Sequence, residues 1–136
     1  MSEREMITYL VNVEVQPEAV AELYRSSGIR RPYENLARIE KMLANANLTI
    51  TAWDRERLVG IARCLTDFSY CCYLSDLAVD QEYQKRGIGK ELIQQVQNQL
   101  SDEVALILLS APGAMSYYPL VGFNKAENAW IVPRKG

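Results

Sequence analysis

The 136-residue chain contains no histidine. That absence excludes every mechanism built on an imidazole base and every His-ligated metal centre. Any proton transfer must fall to carboxylates, tyrosine, lysine, cysteine or water. Cysteine is scarce: Cys64, Cys71 and Cys72 make no disulfide framework, and their spacing fits no zinc pattern, so no metal is expected. They read as small apolar residues buried on strands. No apolar run approaches the length of a membrane span. Excess charge is also missing, since a net charge of −2 offers no broad basic surface for nucleic acid. The basic residues are local, at 30–31 and 85–90. The start, Met1-Ser2-Glu3-Arg4-Glu5, is charged and has no signal-type apolar region behind it, which predicts a cytosolic chain with no membrane attachment.

What is present fits one globular domain over 1–136. Apolar residues make up 49% of the chain, enough for one real core at this length. No repeat, low-complexity tract or linker interrupts it.

Hydrophobic periodicity orders the elements. Residues 6–15 are rich in β-branched side chains and predict a first strand. Gln16-Pro17-Glu18 starts a helix that Gly28 ends as a C′ residue. A second helix is predicted from Tyr33 to Ala46, with Leu36, Ile39, Leu43 and Ala46 on one stripe. Leu48–Trp53 and Leu58–Thr66 form a hairpin around the polar Asp54-Arg55-Glu56-Arg57. Tyr70–Val79 is the next strand. A helix follows, with Ile88, Leu92, Ile93, Val96 and Leu100 at helical spacing. Val104–Ser110 is continuously apolar and predicts a strand covered on both faces. A short helix over roughly Ala114–Leu120 and a last strand at Trp130-Ile131-Val132 complete the order β-α-α-β-β-β-α-β-α-β. The fold class is α/β (α+β): a mixed, mostly antiparallel sheet flanked by helices.

The stretch with the most chemistry is Leu77-Ala78-Val79-Asp80-Gln81-Glu82-Tyr83-Gln84-Lys85-Arg86-Gly87-Ile88-Gly89-Lys90. A strand ends, a polar turn follows, and a helix begins at Gly-X-Gly. The first N–H groups of a helix lack internal partners, and the helix dipole adds partial positive charge there. Such an end suits phosphate. Gly87 and Gly89 let the backbone touch a bulky pyrophosphate, while Lys85, Arg86 and Lys90 surround it with positive charge. A P-loop requires Ser or Thr after Gly89-Lys90, where Glu91 stands; a dinucleotide fingerprint requires a third glycine where Leu92 stands.

Gln84-Lys85-Arg86-Gly87-Ile88-Gly89 instead fits Gln/Arg-x-x-Gly-x-Gly/Ala and resembles the acetyl-CoA motif of the GNAT family of N-acetyltransferases. The preceding Asp76-Leu77-Ala78-Val79 strengthens the resemblance. So does Ser116-Tyr117-Tyr118-Pro119-Leu120-Val121-Gly122-Phe123, which is similar to the family's Tyr-x-x-x-Gly-Phe signature.

The resemblance implies a central strand splayed from the following one, with the pantetheine arm of acetyl-CoA in the gap. The backbone of Leu77, Ala78 and Val79 would bond the arm, and Gln84, Lys85, Arg86, Gly87, Ile88, Gly89 and Lys90 would hold the pyrophosphate. It implies direct attack of a primary amine, on a small molecule or peptide, at the thioester. Tyr118 would protonate the leaving thiolate, with Tyr117 as the fallback because Pro119 follows Tyr118. Asp76 is the candidate base, directly or through water, or else a carboxylate satisfied by backbone N–H groups. The asparagine often found after the next strand in relatives is missing, leaving Ser110 or a backbone group in its place. The acceptor side would comprise the first two helices, with Tyr24, Arg30, Arg31, Tyr33 and Glu34 as candidates to touch substrate. The alternative is a noncatalytic acyl-CoA-binding sensor or scaffold. No tail-binding acidic insert supports a histone-type target, and the family analogy allows a homodimer.

Overall fold

The computed structural model describes residues 6–136; the charged start Met1–Glu5 lies outside them. The sheet has five strands in the order β1 (Ile7–Val11), β2 (Leu48–Asp54), β3 (Arg57–Thr66), β4 (Cys71–Val79) and β5 (Ala105–Ile107). Every pairing is antiparallel except β4 with β5. Two helices, α1 (Pro17–Ser27) and α2 (Leu36–Ala44), cover one face, and α3 (Ile88–Asn98) covers the other.

Local chemistry sets the boundaries. β1 stops earlier than its composition predicts because Asn12 turns left-handed (φ 54°) and its side chain accepts the Thr49 N–H at 2.8 Å. α1 begins at Pro17 and closes on a left-handed Gly28. α2 starts three residues later than predicted, since the Asn35 side chain caps it by accepting the Arg38 N–H. β3 is buried from Leu58 to Cys64, as a central strand with helices on both faces must be.

Two apolar layers hold the sheet. Val20, Leu23 and Tyr24 of α1 and Ile39 of α2 pack on Leu58, Ile61 and Ala78. Ile88, Leu92, Ile93 and Val96 of α3 pack on the opposite face, against Ile50, Val59, Ala62 and Leu74. The α3 contact is close at Gly60, where an added Cβ would lie 3.1 Å from Leu92 and 3.3 Å from both Ile88 and Ala52. Gly60→Val is therefore expected to overpack this seam and cost about 1–3 kcal/mol, read as a lowered denaturation midpoint.

The C-terminal third departs from the sequence expectation. Val104–Ser110 yields only the three-residue β5, with Ala105 and Ile107 exposed and Leu106 half-buried. β5 is an edge strand with one face packed, so its burial alternates instead of running continuously. The helix expected over 114–120 is replaced by two 3₁₀ turns, Pro112–Ala114 and Tyr118–Val121, each containing a proline, which has no N–H to donate. Trp130-Ile131-Val132 forms no strand and is exposed, Trp130 at 96%. β propensity supplies no ladder partner by itself. Of the cysteines, Cys64 and Cys72 are buried on β3 and β4, but Cys71 is exposed.

Candidate functional site

The site opens where β4 parts from β5. On β4, Asp76 pairs with Arg63 and Leu74 with Cys64, so Ser75 is an extra, unpaired residue. This bulge reverses the alternation of β4: Cys72 and Leu74 pack toward α3, whereas Asp76 and Ala78 face α1. Parallel pairing with β5 runs only from Cys71↔Ala105 to Tyr73↔Ile107 and ends two residues before the bulge. From Leu74 to Val79 the outer edge of β4 has no strand beside it among the described residues. The Ser75 and Val79 carbonyls take side-chain hydrogen bonds from Arg31 and Gln84, and the remaining N–H and C=O groups on that side have no strand to pair with.

The end of β4 leads into the polar loop. The Asp80 N–H bonds the Val59 carbonyl at 2.8 Å, and its carboxylate accepts the Glu82 N–H, opening a 3₁₀ turn over Gln81–Tyr83. That carboxylate also takes the Ser26 hydroxyl and pairs with Arg57. The Tyr83 ring lies beneath the guanidiniums of Arg57 and Arg86, at 5.0 and 5.1 Å. Gln84 has a different role from the one its motif position suggests. Its side-chain amide donates to the Val79 carbonyl at 2.9 Å and the Ser27 carbonyl at 3.3 Å, clamping the loop to β4 and α1. Lys85 (φ 67°) and Gly87 (φ 85°) are both left-handed, which curls the loop into a concavity of backbone donors. The amides of Ile88, Gly89 and Lys90 at the start of α3 make no hydrogen bond within the described chain. They share the one place where the helix dipole adds positive charge. Gly89 keeps this end bare: an added Cβ would lie 3.1 Å from the Tyr117 hydroxyl and 3.9 Å from Val79.

Asp76 is the buried centre of a polar cluster on the α1 face. Arg31 and Arg63 each pair with one of its carboxylate oxygens, and the Tyr24 hydroxyl donates to it at 2.7 Å. Arg63 also reaches the Met42 carbonyl and Ser75 Oγ, while Arg31 reaches the Ser75 carbonyl at 2.7 Å. Burial pushes the Asp76 carboxyl up. The hydrogen bond and charge of Arg63, followed by Tyr24 and Arg31, outweigh it and hold the carboxyl below the usual carboxylate range. Both oxygens are occupied and the carboxylate is a poor proton acceptor, so the geometry makes Asp76 an anchor for two arginines and not a free base.

The two tyrosines divide the gap. Tyr117 places its hydroxyl against Gly89, in the first turn of α3. Tyr118 lies edge-on to Tyr117 at 5.2 Å and to Phe123 at 5.5 Å, with Gly122 turning left-handed between it and Phe123. Burial raises the Tyr118 phenol above its ordinary value, as does the Tyr117 charge, while the nearby Arg31 pulls it down. At neutral pH it is a protonated phenol able to donate.

Leu77, Ala78 and Val79 thus lie on the stretch of β4 that has left β5, Lys85 to Lys90 follow in the loop and first turn of α3, the Tyr117 hydroxyl meets Gly89, and Tyr118 packs between Tyr117 and Phe123. Tyr24 is fully buried, which removes it as a substrate contact, and Ser110 spends its hydroxyl on the Ala111 carbonyl. Arg63 and the Ser75 bulge were not recognised from the sequence. The one available signal was an arginine inside an otherwise apolar strand, which requires a buried anion opposite it.

Comparison with known proteins gives a consistent result. The family model described as an Acetyltransferase (GNAT) domain matches residues 18–132. An uncharacterized N-acetyltransferase ycf52-like protein of Prochlorococcus marinus is 34% identical over 101 residues, covering 70% of this chain and 54% of the relative. The chain spans little more than half the length of the first such relatives. Among solved structures, a probable acetyltransferase from Staphylococcus aureus superposes with a TM-score of 0.80 at 23% identity, over 95% of this chain and 99% of that one. The aminoglycoside N-acetyltransferase AAC(6')-Iy, solved in complex with CoA, gives 0.72 at 18% identity, over 100% and 99% of the two chains. These two likenesses speak for the fold.

Proposed function

The chain belongs to the GNAT acetyltransferase family, and on that footing we propose that it transfers an acetyl group from acetyl-CoA to a primary amine of a small molecule or peptide. The observation that carries this reading is the gap itself. The free edge of β4 runs from the Ser75 bulge straight to the uncapped amides of α3. One extended ligand with a pyrophosphate at one end matches both. Leu77, Ala78 and Val79 would offer backbone groups to the arm, and Gly87, Ile88, Gly89 and Lys90 would offer N–H groups to the phosphates. Lys85 and Arg86 add charge, and Gln84 holds the loop in shape.

When bound, acetyl-CoA supplies the activated acyl group. The amine nitrogen forms the new N–C bond as the C–S bond breaks. Tyr118 donates its phenolic proton to the departing sulfur and regains one as the amine gives up its own to solvent. Asp76 acts by position, fixing Arg31 and Arg63 beneath the acceptor side.

The test is thiol release from acetyl-CoA with a panel of amines, alongside calorimetric binding of CoA to the whole chain. Turnover with at least one amine is the expected result. Tight CoA binding with no turnover on any amine would favour a binding module, and absence of CoA binding would overturn the assignment. Gly89→Ala supplies a sharper check. Its Cβ would crowd the α3 amides and the Tyr117 hydroxyl, so CoA affinity should fall about tenfold. Folding stability should hold or rise by up to about 1 kcal/mol, because alanine favours a helix.

A further inference from the structure

We propose that the acceptor is an amine that also carries a carboxylate, held by a basic pocket on the α1–α2 side of the gap. The inference rests on the acetyltransferase reading and goes beyond it by naming the acceptor's charge.

The pocket is a cavity of about 380 Å³, lined by Arg30, Arg31, Arg38, Arg63, Arg134 and Tyr73 among others. Arg31 and Arg63 are committed to Asp76 below it. Arg30, Arg38 and Arg134 pair with no carboxylate among the described residues, and all three are exposed. Among the described residues, the five guanidiniums therefore have one side-chain carboxylate, Asp76, which Arg31 and Arg63 take up, and Gly136 lines the same recess. Like charges gathered in a concave surface repel one another, and a recess focuses their field onto whatever enters it. An anionic group relieves that repulsion, and the planar guanidinium fork matches a carboxylate in a two-point contact. The volume suits a ligand of amino-acid size.

The location ties the pocket to the reaction. Tyr73 is the last β4 residue paired with β5, and Ser75, which also lines the pocket, is the bulge at which the gap begins. Arg31 lines the pocket, and its charge reaches the Tyr118 phenol. An acceptor anchored here by its carboxylate would present a neighbouring amine at the gap.

The same charges bear on the missing base. Positive neighbours disfavour the ammonium form of an incoming amine, so they favour its release of a proton to water before attack. Polycationic acceptors meet the opposite condition. The aminoglycosides named for two structural neighbours would enter a pocket of their own charge sign.

The test compares matched amines on the CoA-loaded full chain by calorimetry and by thiol release. Tyrosine is set against tyramine, leucine against isopentylamine, and phosphoethanolamine against ethanolamine. At least one amino acid should bind about tenfold or more tightly than its decarboxylated partner, with spermidine and aminoglycosides weakest. Arg38→Gln and Arg134→Gln should each shrink that preference severalfold while leaving CoA affinity and the thermal midpoint unchanged. Equal binding of both members of every carboxylate pair would overturn the inference, as would preference for the polycations or for the phosphate alone. CoA binding is read separately in the same titrations, so its failure would fall on the acetyltransferase reading and not on the pocket.

Discussion

Asp76→Asn is expected to be the most damaging single substitution for stability, costing about 3–5 kcal/mol. The carboxylate is fully buried and opposes Arg63, itself buried, and the partly exposed Arg31. Removing the anion leaves both cations, and the Tyr24 hydroxyl, without the partner that offsets their desolvation. For a chain of this size the thermal midpoint should drop by about 10 °C or more. Chemical denaturation followed by far-UV circular dichroism would measure it. A variant with an unchanged midpoint and lost turnover would restore Asp76 as a base.

The same group makes stability depend on pH. The folded carboxyl is held below its ordinary range, so the unfolded chain binds the proton more readily. Its contribution is therefore complete above the unfolded value near 4 and is lost as pH falls through the folded one. Midpoints measured from neutral pH down to about pH 3 should fall less steeply in Asp76→Asn than in the parent.

Tyr118→Phe should have the largest effect on rate. Losing a positioned general acid typically costs about 10²–10⁴-fold, with little change in ligand binding. Calorimetric affinity for CoA should stay within about twofold, because the phosphate loop and the edge of β4 are untouched. Tyr117→Phe should reverse the pattern, since that hydroxyl sits against Gly89 at the loop. The raised Tyr118 phenol also predicts no alkaline fall in the parent's turnover below about pH 10. If Tyr118→Phe turned over at the parental rate while Tyr117→Phe did not, the acid would be Tyr117.

Much of the fold was legible because it rests on local signals. Pro17 and Gly28 bound α1, and the spacing of Ile88, Leu92, Ile93 and Val96 marks the buried face of α3. The left-handed Gly87 at the start of α3 agrees with what a Gly-X-Gly loop requires. The C-terminal segment was not legible on the same terms. Trp130-Ile131-Val132 has the composition of a strand, but a strand exists only where a partner edge is presented to it. Val104–Ser110 has the composition of a central strand and became a short edge strand, because its neighbour bends away at Ser75.

The sequence by itself determined the Gly-X-Gly start of α3, the two tyrosines after β5, and the exclusion of histidine chemistry. Each is a property of neighbouring residues or of composition. Only the tertiary structure decided that Asp76 is an anchor, that Gln84 clamps the loop, and that five arginines from four separate segments meet in one pocket. Asp76 and Arg63 are 13 residues apart, and Arg31 is 45 from Asp76. A carboxylate's proton affinity depends on which charges the fold brings to it and how much water it excludes, and neither is written in local order.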